Sequence, residues 1–60
     1  MQYLGNKHNM EVHNLYNQQT NCQISEIKLE HRKSFFPDTL VQAHSESFDN
    51  CAWCIGGSKR

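Results

Sequence analysis

Sixty residues make one small domain at most, and six Lys and Arg against six Asp and Glu cancel to a formal net charge of +0. A chain of this size buries only about 60% of the surface its unfolded form exposes, so a core alone gives marginal stability and a staple is expected. Balanced charge supplies no global basic excess for nonspecific nucleic-acid binding, and no stretch approaches the ~20 apolar residues of a membrane helix.

In chain order, residues 1–15 read as a β-hairpin whose two short strands flank a Gly5-Asn6 turn. In the second strand Met10, Val12 and Asn14 alternate with Glu11, His13 and Leu15, so His13 lies on the face opposite Val12. Residues 14–21 are polar and read as an exposed loop. After Cys22, Ile24 and Ile27 sit three apart, which suits one short helical turn. Residues 29–33 read as a polar connection, and Ser34-Phe35-Phe36 as a third strand ended by Pro37. Thr39 with Gln42 matches a capping box, predicting a helix over residues 40–47 with Leu40, Ala43 and Val41 as inward candidates. Phe48-Asp49-Asn50 leads into Cys51, and residues 56–60 read as a flexible tail. The candidate core adds Leu4, Leu29, Trp53 and Ile55 to the apolar residues already named. Neither a repeat nor a second domain is visible.

Three cysteines always leave one unpaired, whereas a secreted disulfide framework normally has an even count. No charged leader with an apolar run and cleavage site is visible, so the expectation is a cytoplasmic setting with reduced thiols used for metal. In Cys51-Ala52-Trp53-Cys54 a tight turn can aim both sulfurs at one ion, and Cys22 and His13 supply the remaining corners of a Cys3His zinc site. His8, on the hairpin turn, is the rival to His13, and water is an alternative fourth ligand. His31 and His44 fall on polar faces and read as solvated.

His13, Cys22, Ile24 with Ile27, Phe36, Ala43, Phe48 and Cys51-x-x-Cys54 together form a pattern covering most of the chain, roughly residues 3–54. That pattern resembles the metal-binding domain of the Ada DNA-repair regulator and the small stand-alone domains similar to it. The resemblance implies an α+β fold: a three-stranded β arrangement with one helix packed on it and Zn2+ closing one end. It carries the ligands over as His13, Cys22, Cys51 and Cys54. The spacing between His13 and Cys22 is wider than is typical of Ada, and Ser47 stands where the family has a glycine after the helix, which predicts strain in a left-handed cap. His13 also occupies the position of the family's methyl-accepting cysteine, so the thiolate nucleophile of that repair reaction is missing.

Other features carry less. Trp53 can either cover the metal and exclude water or stack on an exposed base, and the small core favours the cover. Lys28, Arg32, Lys33, Lys59 and Arg60 make either a modest basic patch or ordinary solvated surface. Glu26, Glu30, Asp38 and Glu46 are not spaced to pair with a base or nucleophile, and Gly56-Gly57 opens no helix as a phosphate loop does. The expectation is therefore a non-enzymatic zinc-binding domain over residues 1–55. Its partner is DNA or RNA on the Ada resemblance and the basic segment, or a protein on the zero net charge. A thiol-based metal or redox sensor is the alternative. Neither a membrane nor a small-molecule substrate is expected.

Overall fold

Alternation along residues 10–15 builds the centre of the sheet. In the computed structural model, which describes residues 1–58, β1 (Tyr3–Asn6) and β2 (Glu11–Asn14) pair antiparallel, with Leu4 opposite His13 and Gly5 opposite Val12. β3 (Arg32–Ser34) runs antiparallel on the far side of β1, and β4 (Asp49–Asn50) parallel beside β2. The result is a four-stranded mixed sheet in the order β3-β1-β2-β4. With one short helix, α1 (Leu40–Ser45), the fold is α+β as expected.

Residues opposite one another on antiparallel strands share a face. Gly5, Val12 and Lys33 therefore point one way and Leu4, His13 and Ser34 the other. On the first face Val12 and Ala43, both 0% exposed, pack with Phe35 and Phe48. Lys33 reaches Glu46, just past α1, at 3.4 Å. The second face belongs to the cysteines. Arg32, on that side, donates from Nε to the Ile27 carbonyl at 3.2 Å and ties down the connection between β2 and β3. The connection consists of four 3₁₀ turns, including the one foreseen after Cys22 at Ile24–Glu26.

Three expectations shift. Gly5-Asn6 does not form the hairpin turn: both residues lie in β1, and residues 7–10 make the turn. Asn6 still helps it, because its side-chain oxygen accepts from the His8 N–H at 2.9 Å while its carbonyl accepts from Met10 at 2.8 Å. Gly5 serves packing instead, since a Cβ there would lie 2.7 Å from Phe35 Cζ and 2.8 Å from Phe48 Cε2. The third strand starts earlier than Ser34-Phe35-Phe36, because Arg32 and Lys33, read as connection, find partners on opposite faces. Phe35 is buried just beyond it, whereas Phe36 stands 96% exposed. Of the candidate core, Leu29 (86%), Val41 (79%) and Trp53 (59%) are likewise exposed.

α1 starts as the sequence predicts, with Thr39 Oγ1 accepting from the Gln42 N–H at 3.1 Å. Gln42 does not reach back to complete the capping box; its side chain donates to Glu46 at 2.7 Å. The helix stops at Ser45, earlier than expected, in a Schellman motif: Phe48 N–H donates to the Ala43 carbonyl and Ser47 N–H to that of His44. Ser47 sits there at φ 73, the left-handed conformation its position implied. The N-terminus is held by Asp38, whose carboxylate accepts from the Gln2 and Tyr3 N–H groups at 2.6 and 2.9 Å. Those two bonds hold its pKa below the ordinary carboxylate value.

Candidate metal centre

The expected ligands arrive from three parts of the chain. The period of two in β2 turns His13 away from the Val12 core and buries it, 2% exposed. Cys22 closes the 3₁₀ turn Thr20–Cys22, and Gln23 then adopts the left-handed conformation at φ 53, reversing the chain so that Ile24 packs against the thiols. Cys51 extends the pairing of β4, its N–H donating to the Val12 carbonyl at 2.9 Å. The turn that follows folds back on Cys51, whose carbonyl accepts from Ile55 and Gly56 at 3.2 and 2.9 Å, and this brings Cys54 alongside. Gly56 makes that return at φ 87, where a side chain is strained.

The four donor atoms, three Sγ and one imidazole nitrogen, lie within 4.8 Å of one another, and all four residues are buried. Cys22 Sγ is 3.5 Å from Cys51 Sγ, and Cys54 Sγ is 3.8 Å from His13 Nδ1. A tetrahedral zinc with ordinary Zn–S and Zn–N bonds holds its ligand atoms about 3.5–3.8 Å apart. The side chains thus already stand near coordination geometry and fit a single metal ion. Asn14 donates its backbone N–H to Cys54 Sγ at 3.2 Å, and Asn17 donates its side-chain amide to the Cys54 carbonyl at 3.1 Å. These contacts orient the ligand and its turn from outside the cluster.

The electrostatics of the protein alone disfavour charge in the cluster. Burial, with the neighbouring Cys22 and Cys51 thiols, pushes Cys54 up to about 12, against the pull of the Asn14 N–H. Burial also lowers His13, which keeps its imidazole neutral and its lone pair available. A divalent cation reverses the first effect by stabilising thiolates directly.

The remaining histidines are engaged elsewhere. His8, the rival fourth ligand, stacks on His31 with ring centroids 5.2 Å apart, and His44 Nε2 bonds Asn50 Oδ1 at 2.7 Å. Trp53 does not cover the cysteines: its side chain turns outward, and Ile24 and Ile55 pack against them instead. Sequence reasoning placed Ile55 in a general core and attached no role to Asn14 or Asn17, whose contributions depend on the register of β2 against the Cys51–Cys54 turn. The basic residues that read as either a modest patch or solvated surface are in part engaged within the fold. Lys33 pairs with Glu46 and Arg32 spends its guanidinium on carbonyls, while Lys59 and Arg60 lie outside the described residues. The tail expected over residues 56–60 lies partly there too; Gly56 accepts from the Asn50 side chain at 3.1 Å, and Ser58 donates to Asp49 at 3.1 Å.

Among the described residues no helix is long and apolar enough to cross a membrane. No family model matches the chain, and neither the curated proteins nor the solved structures give a match.

Proposed function

We propose that this chain is a non-enzymatic recognition domain held together by a structural zinc ion on His13, Cys22, Cys51 and Cys54. The observation that carries the reading is the burial of these four donors within 4.8 Å of one another in a chain with so small a core. Three soft thiolates with one imidazole, gathered within 4.8 Å of one another, are a donor set that zinc takes. Bound there, the ion supplies charge compensation for the thiolates and ties β2, the 3₁₀ connection and the C-terminal turn together. Four protein ligands leave no open coordination position, which supports a structural role over a catalytic one.

The plan of sheet, capped helix and Cys-x-x-Cys turn keeps the resemblance to Ada-like metal-binding domains as the working parallel. With His13 in place of the reactive cysteine, methyl transfer is not part of the proposal. Recognition rests on the aromatic groups that the fold leaves outside: Trp53 between two ligands, and Tyr16, 75% exposed, next to Asn17. Exposed aromatics beside a zinc turn suit stacking on an unpaired base or packing on a partner side chain. A thiol-based sensor is disfavoured by the burial of all three cysteines.

Native mass spectrometry with elemental analysis tests the metal reading. One zinc per chain is the expected result, and a metal-free folded chain would contradict it. Quenching of Trp53 fluorescence by single-stranded DNA or RNA at low salt tests recognition of nucleic acid. No response at low salt would move the proposal to a protein partner.

A further inference from the structure

We propose that His8, His31 and Glu26 form a second site, on the surface, for a divalent transition-metal ion. Its backbone frame is fixed: the Lys7 N–H donates to the His31 carbonyl at 2.7 Å, clamping the hairpin turn to the 3₁₀ turn Leu29–His31. The two imidazoles consequently stack at 5.2 Å with 23° between their planes. Glu26, at the end of the 3₁₀ turn Ile24–Glu26, lines the same groove of about 210 Å³. Among the described residues, neither ring hydrogen-bonds a protein group, and the Glu26 carboxylate has no protein partner. Three residues of metal-ligating type thus line one groove with no protein hydrogen bond to their donor groups.

The donor set decides the ligand class. Two imidazoles and a carboxylate suit borderline ions such as Zn2+, Ni2+ or Cu2+ better than Mg2+ or Ca2+, which prefer oxygen alone. Glu26 and His8 are exposed and His31 half-buried, so drawing them onto one ion requires the stacked rings to turn and costs side-chain freedom. Lys28 lines the same groove and opposes a cation there, which makes this site weaker than the buried one. A neighbouring groove of about 240 Å³ shares Asn6, His8, Glu26 and Ile27 and continues to His13 and Cys22. The surface site therefore borders the buried centre without using its ligands.

The test titrates the protein with Zn2+ beyond one equivalent, following stoichiometry by native mass spectrometry and the histidine rings by NMR. A second, weaker equivalent should shift the rings of His8 and His31 and leave those of His13 and His44 in place. His8→Ala and His31→Ala should each weaken that second step by at least about tenfold, the cost of losing even an outer-shell partner, and leave the first unchanged. Lys28→Gln should tighten it. Failure to take up a second equivalent at millimolar Zn2+, or uptake unaffected by both histidine variants, would overturn the proposal. Uptake at His8 and His31 with no response at His13 would keep this site and sink the buried one.

Discussion

His13 is the residue on which the buried centre turns. One position earlier, Val12 fills the apolar core; one later, Asn14 directs its N–H at Cys54. Only the residue between them faces the three thiols, so strand parity, not proximity in sequence, brings His13 and not His8 to the cluster. His13→Ala should lower zinc affinity by at least about 100-fold, at or beyond the upper end of what second-shell losses cost. His8→Ala should leave the first zinc equivalent unaffected, and competition with a chromophoric chelator measures both. A second prediction concerns Ser47 at φ 73. Its left-handed strain of about 1–3 kcal/mol exceeds the extra backbone entropy a glycine loses, about 0.5–1 kcal/mol. Ser47→Gly should therefore stabilise the zinc-loaded protein by about 1 kcal/mol, seen as a higher urea midpoint; an unchanged or lower midpoint would contradict the strain.

Among the elements, the hairpin shows what sequence patterning resolves and what it does not. Alternation in β2 gave the facing of Val12 and His13, and Thr39 with Gln42 gave the start of α1, because both signals are local. Gly5 misled because a glycine beside an asparagine is a turn signal in isolation, while its role here is room for Phe35 and Phe48, whose edge-to-face contact at 5.0 Å forms against it. Arg32 and Lys33 misled for a related reason: a polar strand is legible only once partners exist for its side chains on both faces. Gly5→Ala should cost about 1–3 kcal/mol through overpacking, and an unchanged thermal midpoint would show that the two rings yield freely. Asp38, which holds the start of β1 to the turn before α1, carries a pH signature. Its lowered pKa means that its stabilisation is complete above the ordinary value of 3.8 and is lost as pH falls through the lower folded value. The gap in urea midpoint between wild type and Asp38→Asn should hold steady as pH falls from neutrality for as long as the thiols keep their zinc, since that range lies above 3.8. A gap already closing near neutrality would contradict that assignment.

For the whole molecule, two thin clusters meet at the sheet, one of Val12, Phe35, Ala43 and Phe48, the other of the three cysteines. Ile55 packs against both. The odd cysteine count and the Cys-x-x-Cys spacing made the second cluster visible in the sequence, since ligand chemistry is written in residue type. The outward Trp53, Phe36, Leu29 and Val41 were not visible, because hydrophobicity alone does not say which side of a thin sheet has room. On the proposed zinc reading, the ion is the decisive contribution to folding in a core this small, at an apparent ~10–16 kcal/mol for structural zinc in small domains. The most direct measurement is the far-UV circular dichroism and amide NMR spectrum as a strong chelator removes the ion, with metal content followed in parallel. Cooperative loss of folded structure in step with the zinc, restored on adding it back, is the predicted result. A native spectrum that persists after the zinc has demonstrably left would contradict the account.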